Sequence, residues 1–147
     1  MLGTSLENKM YYIEQQHCFH QLTPQEKEVL ATLLIEKKFK AGETIVNEGE
    51  LVDCVYLIMK GKADVRKLQL GPQPAQSQSI ATLKEGEAIG LNETGFYSLT
   101  GKRTATVIAL TDLETLYLSV AAFHGFALAH SHVNEIMHQQ AEEFLKF

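Results

Sequence analysis

Residues 54–68 read CVYLIMKGKADVRKL. Two runs that are rich in β-branched and aromatic residues stand on either side of Gly61, which is the pattern of a β-hairpin. Further strands are predicted at 44–46, 80–83, 103–110 and 114–118, with glycine turns at Gly42 and Gly49. Many short strands at regular spacing indicate a mainly β fold, an antiparallel β-roll or jelly-roll with flanking helices.

Helical patterns stand on both sides of these strands. Thr23 can cap a helix, Pro24 suits its first position and Glu26 completes a capping box, so a helix is predicted from here to about Lys37. After Val120 apolar residues recur at helical spacing on a terminal helix: Val133, Ile136, Met137, Ala141, Phe144 and Leu145. We expect one domain over residues 1–147, with a helical N-terminus (1–37), a β-roll (38–119) and C-terminal helices (120–147). Residues 71–79, rich in Gly, Pro, Gln and Ser, are predicted to be a hairpin tip.

The length, charge and cysteine content of the chain limit the kinds of partner that we expect. The chain has 147 residues, of which 45% are hydrophobic, enough for one compact core. Lys plus Arg total 13 and Asp plus Glu total 18, so the formal charge of -5 argues against nucleic acid as a partner. No apolar run approaches the ~20 residues that span a bilayer. The two cysteines, Cys18 and Cys54, form no metal or disulfide pattern, which favours a reducing, cytoplasmic location.

One segment combines the groups needed to hold a ribose and a phosphate. It reads Glu93-Thr94-Gly95-Phe96 and is followed by Lys102-Arg103-Thr104-Ala105-Thr106-Val107. A guanidinium matches phosphate oxygens, whereas a carboxylate accepts from hydroxyls. We expect a short helical turn between Gly90 and Gly95 whose N–H groups point at an anion, with Arg103 at the start of the next strand. The alternative from spacing alone is an exposed arginine paired with a surface carboxylate.

An ordered series of motifs extends this pattern: Gly42-Glu43-x-Ile45, Glu48-Gly49-Glu50, Asp53, Tyr56-x-Ile58, Gly61-x-Ala63-x-Val65, Gly86 and Arg103-Thr104-Ala105-Thr106-Val107. In this order the motifs resemble the cyclic nucleotide-binding domain family, which includes bacterial catabolite activators, cyclic-nucleotide-dependent kinases and cyclic-nucleotide-gated channels. The resemblance runs from about Phe19 to the C-terminus.

The resemblance implies a glutamate for the ribose 2′-hydroxyl and an arginine for the cyclic phosphate. Counted back from Arg103, the glutamate is Glu93; counted forward from Gly86, the family's aromatic-glycine pair falls on Ile89-Gly90 and Leu91 stands in the place of the glutamate. We favour Glu93, because its distance to the arginine sets the pocket. The implied ligand-binding residues are Asn92, Glu93, Thr94, Gly95, Arg103, Thr104 and Ala105. The resemblance also implies that the hydroxyl of Thr104 can reach a phosphate oxygen or, with a syn purine, the amino group of guanine, which leaves both cAMP and cGMP open.

The histidines offer a different reading. His130-Ser131-His132, with Glu135 behind, is similar to the metal set of cupins, but it opens a predicted helix and no third histidine lies on a strand. We therefore expect histidines at a helix start, with no metal and no cofactor. No nucleophile elbow or phosphate-loop signature is present, so we expect no enzyme.

The sequence thus predicts a regulatory sensor for a cyclic nucleotide that signals through movement of its C-terminal helices. We expect it to act on a protein partner or to form a homodimer through the C-terminal helix, without nucleic acid or membrane. The alternative is a β-roll that has lost its ligand and docks a protein partner. A cupin-like metal enzyme is the third possibility.

Overall fold

The computed structural model of the chain describes residues 5–16, 19–69, 76–92, 95–96 and 102–133. Within them, two helices precede the strands and one follows. The elements are α1 (Leu6–Glu14), α2 (Pro24–Leu33), β1 (Ile35–Phe39), β2 (Thr44–Val46), β3 (Cys54–Lys60), β4 (Ala63–Gln69), β5 (Gln76–Leu83), β6 (Ala88–Ile89), β7 (Leu91–Asn92), β8 (Gly95–Phe96), β9 (Thr106–Ala109), β10 (Leu113–Ser119) and α3 (Val120–Ala129).

The strands form two four-stranded antiparallel sheets and a short pair. The first sheet has the order β1-β10-β3-β6, the second has the order β2-β9-β4-β5, and β7 pairs with β8. Non-consecutive strands are neighbours in both large sheets, as a rolled-up topology requires. The prediction of a mainly antiparallel β-roll with flanking helices is confirmed.

The central strand β3 is covered on both faces, since its first five residues are all buried. Val55 and Leu57 face a cluster that contains side chains of all three helices. Cys54, Tyr56 and Ile58 alternate with them and face a second cluster, formed with the other sheet. This arrangement explains why the strand is a continuous apolar run rather than an alternating one.

Helix α2 begins as predicted but ends early. The Thr23 hydroxyl accepts from the Glu26 amide at 3.1 Å, and the Thr23 amide donates to the Glu26 carboxylate at 2.7 Å. The prediction that the helix reaches Lys37 is wrong, because residues 35–39 form β1 and pair with β10 in antiparallel register. The β-roll therefore starts at Ile35 rather than at residue 38. Pairing with a strand some eighty residues away overrides the local helical pattern.

The strand β5 also begins earlier than predicted, since Gln76 to Ser79 pair with β4. Polar cross-strand contacts hold this part of the hairpin. The Ser79 hydroxyl donates to Asp64, the Arg66 guanidinium donates to Asp64 at 2.8 Å, and Arg66 also donates to the Ser77 hydroxyl at 2.9 Å. Residues 70–75 of the predicted hairpin tip lie outside the described residues.

Helix α1 packs against the segment that leads to the site. The Tyr12 hydroxyl donates to the carbonyl oxygen of Met59 at 3.3 Å, and the Gln16 amide donates to that of Gly86 at 2.9 Å. The bond to Met59 ties the helix to β3, and the bond to Gly86 positions the turn between β5 and β6. None of the helices in the described part of the chain is long and apolar enough to cross a membrane.

The Asp64 contacts predict an acid-dependent stability. Hydrogen bonds from Ser79 and then from Arg66 lower the pKa of Asp64, so the folded state favours the ionised carboxylate. This contribution is present above the unfolded value of about 3.9 and is lost as the pH falls through the folded value. We expect Asp64→Asn to reduce the free energy of unfolding at pH 7 by about 1 kcal/mol, and the difference from wild type to shrink by pH 3.

Urea unfolding at both pH values measures this difference. Glu28→Gln, a substitution on the exposed face of α2, is the matched control and should change stability little at either pH. A difference between wild type and Asp64→Asn that stays constant from pH 7 to pH 3 would contradict the prediction.

Candidate functional site

A cavity of about 390 Å³ opens between the two large sheets. Its aliphatic wall comes mainly from the second sheet and from the end of β6. The wall residues include Val46, Val65, Ile80, Ala81, Leu83, Ile89 and Val107, and the polar lining includes Lys67, Lys102, Arg103 and Thr104. A mostly apolar cavity with a few converging polar groups is the usual form of a small-molecule site.

Arg103 lies at the inner end of this cavity, and its backbone is held from both sides. Its amide donates to the Glu50 carbonyl oxygen at 2.7 Å, and its own carbonyl oxygen accepts from the Gly49 amide at 2.8 Å. The sequence placed Arg103 at the start of a strand, but β9 begins at Thr106. The arginine therefore belongs to the segment before the strand, which these two bonds tie to the turn after β2.

The guanidinium of Arg103 is buried, with 7% of the residue exposed. Its Nη2 donates to the Cys54 carbonyl oxygen at 2.6 Å and to the Cys54 sulfur at 3.4 Å, and lies 3.9 Å from the Asp53 carboxylate. Its Nη1 is buried and has no hydrogen-bond partner among the described residues. A buried donor without an acceptor costs about 1–3 kcal/mol, so this atom favours an acceptor such as an anion.

Gly90 makes room for this guanidinium. A Cβ atom at position 90 would lie 2.9 Å from Arg103 Nη1 and 3.0 Å from Val55 Cγ1. The residue also has a φ of +96°, a conformation that L side chains rarely adopt. Both the space and the backbone therefore require glycine, and this proximity places the Ile89-Gly90 pair directly against the arginine.

The predicted site residues fall into two groups. Arg103, Thr104 and Ala105 line the cavity together. Asn92 pairs with Gly95 in the β7–β8 ladder, so these residues form strands and not the helical turn that we expected. Glu93 and Thr94 lie outside the described residues, as do the side chains of Leu91, Asn92 and Phe96.

Sequence reasoning missed the wall of the cavity and one of its cations. Val65 and Lys67 stand two positions apart on β4 and both line the cavity, as do residues 80–83 of β5. Successive side chains of a strand point to opposite faces, and Asp64 and Arg66 share one face of β4. This alternation could have predicted that Lys67 lies on the other face together with Val65. The alternation does not say which face of β4 turns towards the cavity, because that depends on how the sheets are connected.

The charges of the cavity favour an anionic ligand. Lys67, Lys102 and Arg103 line it, and no carboxylate does so among the described residues. Burial raises the pKa of the Cys54 thiol, so the sulfur beside Arg103 stays protonated and adds no negative charge. An anion that enters this space meets a low-dielectric wall and fixed positive groups, which strengthen its binding.

A second cavity of about 490 Å³ lies on the other side of Arg103. There the Lys37 ammonium stands 5.5 to 6.0 Å from the ring centres of Phe39, Tyr56 and Tyr117. Burial raises the pKa of both tyrosines, which keeps the phenols neutral. Glu50 and Asp53 balance Lys37 and Arg103 in this lining, so the second cavity is less favourable for an anion than the first.

The histidine cluster is accounted for by structural contacts where it is described. The His132 Nε2 lies 3.1 Å from the Gln21 carbonyl oxygen and 3.6 Å from the Glu26 carboxylate, and the His130 ring packs 4.8 Å from that of Phe126. No group of three metal-ligating side chains occurs within the described ranges. Glu135 lies outside them.

Comparison with known proteins identifies the family to which this domain is similar. The family model described as "Cyclic nucleotide-binding domain" matches residues 36–130. The chain is 30% identical over 104 residues to a cyclic AMP receptor protein of Thermus thermophilus. This alignment covers 68% of this chain and 44% of that protein. It is also 30% identical over 127 residues to a cAMP-dependent protein kinase regulatory subunit of Yarrowia lipolytica, covering 82% of this chain and 30% of that protein.

Solved structures share the fold. The N-terminal domain of a transcriptional regulator from Streptomyces coelicolor A3(2) superposes with a TM-score of 0.74 at 21% identity, covering 92% of this chain and 90% of that one. At this identity the likeness concerns the fold alone. The chain spans less than half the length of the two curated relatives named above.

The contact between Gly90 and Arg103 predicts a selective loss of stability. Gly90→Ala introduces strain at positive φ and also a clash with Arg103 Nη1 and with Val55. Gly42→Ala introduces the same backbone strain but no clash, because nothing lies within 4 Å of a Cβ atom at position 42. We expect Gly42→Ala to cost about 1–2 kcal/mol and Gly90→Ala to cost about 1–3 kcal/mol more.

Chemical denaturation of the two variants measures these costs. Equal losses for Gly90→Ala and Gly42→Ala would show that the guanidinium is not held against position 90.

Proposed function

Because the chain belongs to the cyclic nucleotide-binding domain family, we propose that the cavity beside Arg103 binds a purine 3′,5′-cyclic nucleotide, either cAMP or cGMP. The observation that carries this proposal is the unpartnered Nη1 of Arg103, a buried donor at the inner end of a cavity lined by cations. A cyclic phosphate supplies the missing acceptor and the negative charge at once.

The family is a regulatory ligand-binding domain and not a catalytic one. The two curated relatives are named as a receptor for cyclic AMP and as a regulatory subunit of a cAMP-dependent kinase. By analogy, we infer that this chain is a regulatory module that converts binding of a cyclic nucleotide into a change of conformation.

Arg103 is the centre of the proposed phosphate site. Its Nη2 is occupied by the Cys54 carbonyl oxygen, which orients the guanidinium and leaves Nη1 for a phosphate oxygen. Backbone N–H groups of residues 92 to 95 complete the cradle in this proposal, together with the Thr104 hydroxyl and the Ala105 backbone. Thr94 and Gly95 belong to the same proposed site.

The purine lies along the aliphatic wall in this arrangement. Val65 on β4 and Ile80, Ala81 and Leu83 on β5 form a continuous apolar surface beside the phosphate site. Burial of a flat ring against such a surface stabilises the complex by about 25 cal/mol per Å² of apolar area removed from water.

The output passes through the C-terminal helices. Phe123 and Phe126 of α3 pack with Leu116 and Leu118 of β10, the strand that directly precedes the helix. A ligand that binds one position of the helices more tightly than another shifts their populations. A protein partner or a second copy of this chain, docked on the C-terminal helix, would sense the shift.

Arg103→Ala tests the phosphate contact. Loss of a charge-assisted hydrogen bond of about 1.5–3 kcal/mol should weaken binding of cAMP and cGMP at least tenfold in isothermal titration calorimetry. Arg66→Ala is the control, because this arginine contacts Asp64 and Ser77 and lines neither cavity.

A thermal-shift panel of cAMP, cGMP and AMP accompanies the titrations. A cyclic nucleotide at 100 times its dissociation constant should add about 2.7 kcal/mol of stability, and AMP should add little. Absence of a shift with any cyclic nucleotide would instead favour a β-roll without a ligand that docks a protein partner.

Glu93 is the proposed partner of the ribose 2′-hydroxyl, and a 2′-deoxy ligand tests it. Wild type should bind 2′-deoxy-cAMP about tenfold more weakly than cAMP, because the carboxylate loses its donor. In Glu93→Ala the two ligands should bind equally, whereas Glu28→Ala on α2 should keep the wild-type ratio. A ratio that survives in Glu93→Ala would assign the ribose contact to another residue.

A further inference from the structure

The segment 103–105, which contains the buried arginine, leaves the second sheet at a defined point. Strand β9 lies between β2 and β4, and its pairing with β4 ends where Thr106 stands opposite Arg66. If this antiparallel ladder continued for two more residues, Thr104 would stand opposite Leu68. Strand β9 begins at Thr106 instead, and all three residues of the segment line the cavity.

Glu48, in the turn 47–50 that follows β2, occupies the place that the segment leaves beside β4. Its carboxylate accepts from the Leu68 amide at 3.1 Å, and its own amide donates to the Thr106 hydroxyl at 2.9 Å. Glu48 therefore connects the β2 side of β9 with β4 on the other side. The Leu68 amide, which a carbonyl oxygen of a longer β9 would satisfy, is satisfied by this carboxylate.

The same turn binds the backbone of the segment. The Arg103 amide donates to the Glu50 carbonyl oxygen at 2.7 Å, and the Gly49 amide donates to the Arg103 carbonyl oxygen at 2.8 Å. The segment thus has two possible neighbours, which are β4 and the turn 47–50. Because Glu48 occupies the Leu68 amide, the donor through which the segment would pair with β4 is taken, and the segment stays with the turn.

Neither the charge of Glu48 nor the strength of its bond accounts for this placement. Glu48 forms no ion pair with a described cation, and a carboxylate near a site for an anion opposes binding of that anion. Its bond to Leu68 lies at an exposed residue, where water can replace it, so it stabilises the fold little. The consequence of the bond is instead the neighbour that the segment 103–105 takes.

Resting on the proposed function, we propose that Glu48 is a positioning residue for the phosphate site. Its carboxylate oxygen keeps the segment 103–105 off β4, and the turn 47–50 can then hold Arg103 with its unpartnered Nη1 beside the cavity. Glu48 itself does not line the cavity, so it acts through the segment and not on the ligand. This role requires an acceptor at position 48 and does not require a negative charge.

Two substitutions separate the acceptor from the charge. Glu48→Gln keeps an oxygen acceptor on a side chain of the same length, whereas Glu48→Ala removes both the acceptor and the charge. In calorimetry, Glu48→Ala should bind cAMP and cGMP about tenfold more weakly than wild type, the size of one lost hydrogen bond. Glu48→Gln should bind both ligands as tightly as wild type or up to about threefold more tightly, because the bond remains and the opposing charge is gone.

Glu43 provides the matched control. Its carboxylate also accepts from a backbone amide of an exposed turn, that of Lys40 at 3.0 Å, and it lines neither cavity. Glu43→Ala should leave both affinities within about twofold of wild type. Amide hydrogen exchange reports the contact itself, since the Leu68 amide should exchange slowly in wild type and in Glu48→Gln but faster in Glu48→Ala.

Several results would overturn the proposal while the proposed function stands. If Glu48→Ala binds cyclic nucleotides as tightly as wild type, or more tightly, the carboxylate does not position the site. If Glu48→Gln binds as weakly as Glu48→Ala, the charge and not the acceptor is required. If Glu43→Ala loses as much affinity as Glu48→Ala, the effect is one of general stability. If wild type binds neither cAMP nor cGMP, the proposed function fails and this inference fails with it.

Discussion

The site depends on a buried guanidinium that the protein binds at Nη2 and, within the described part of the chain, leaves without an acceptor at Nη1. Arg103 reaches across the gap between the sheets to the Cys54 carbonyl oxygen, and its Nη1 remains without an acceptor in the described residues. Burying such a group is unfavourable unless another partner completes it. The fold accepts this cost at one position, beside a cavity whose other charged groups have the same sign.

The surrounding structure holds the arginine from three directions. The turn after β2 binds its backbone through Gly49 and Glu50, and the start of β3 binds its side chain. Gly90 leaves the space that the guanidinium fills. The Gln16 side chain, just after helix α1, donates in turn to the Gly86 carbonyl oxygen before β6, so the wall that contains Gly90 is tied to the helical layer.

Patterns within short segments predicted the helices and strands correctly where no distant strand decides the structure. The capping box at Thr23 and the apolar runs of β3 and β10 predicted elements that the structure contains. They failed where a distant strand decided the outcome, as at residues 35–39 and 76–79, which pair with β10 and β4. Of the predicted site, Arg103, Thr104 and Ala105 line one cavity, while residues 91–92 and 95–96 form paired strands rather than the expected helical turn.

The sequence by itself determined the fold class, the family and the choice of Arg103 as a site residue. Glycine turns, strand periodicity and the Arg103-Thr104-Ala105 motif are all properties of short segments. Only the tertiary structure decided which groups meet at that arginine. Cys54 stands 49 positions before Arg103 on β3 of the first sheet, and Lys67 stands 36 positions before it on β4 of the second sheet. Such neighbours are set by how the two sheets close on each other, and no local pattern specifies that closure.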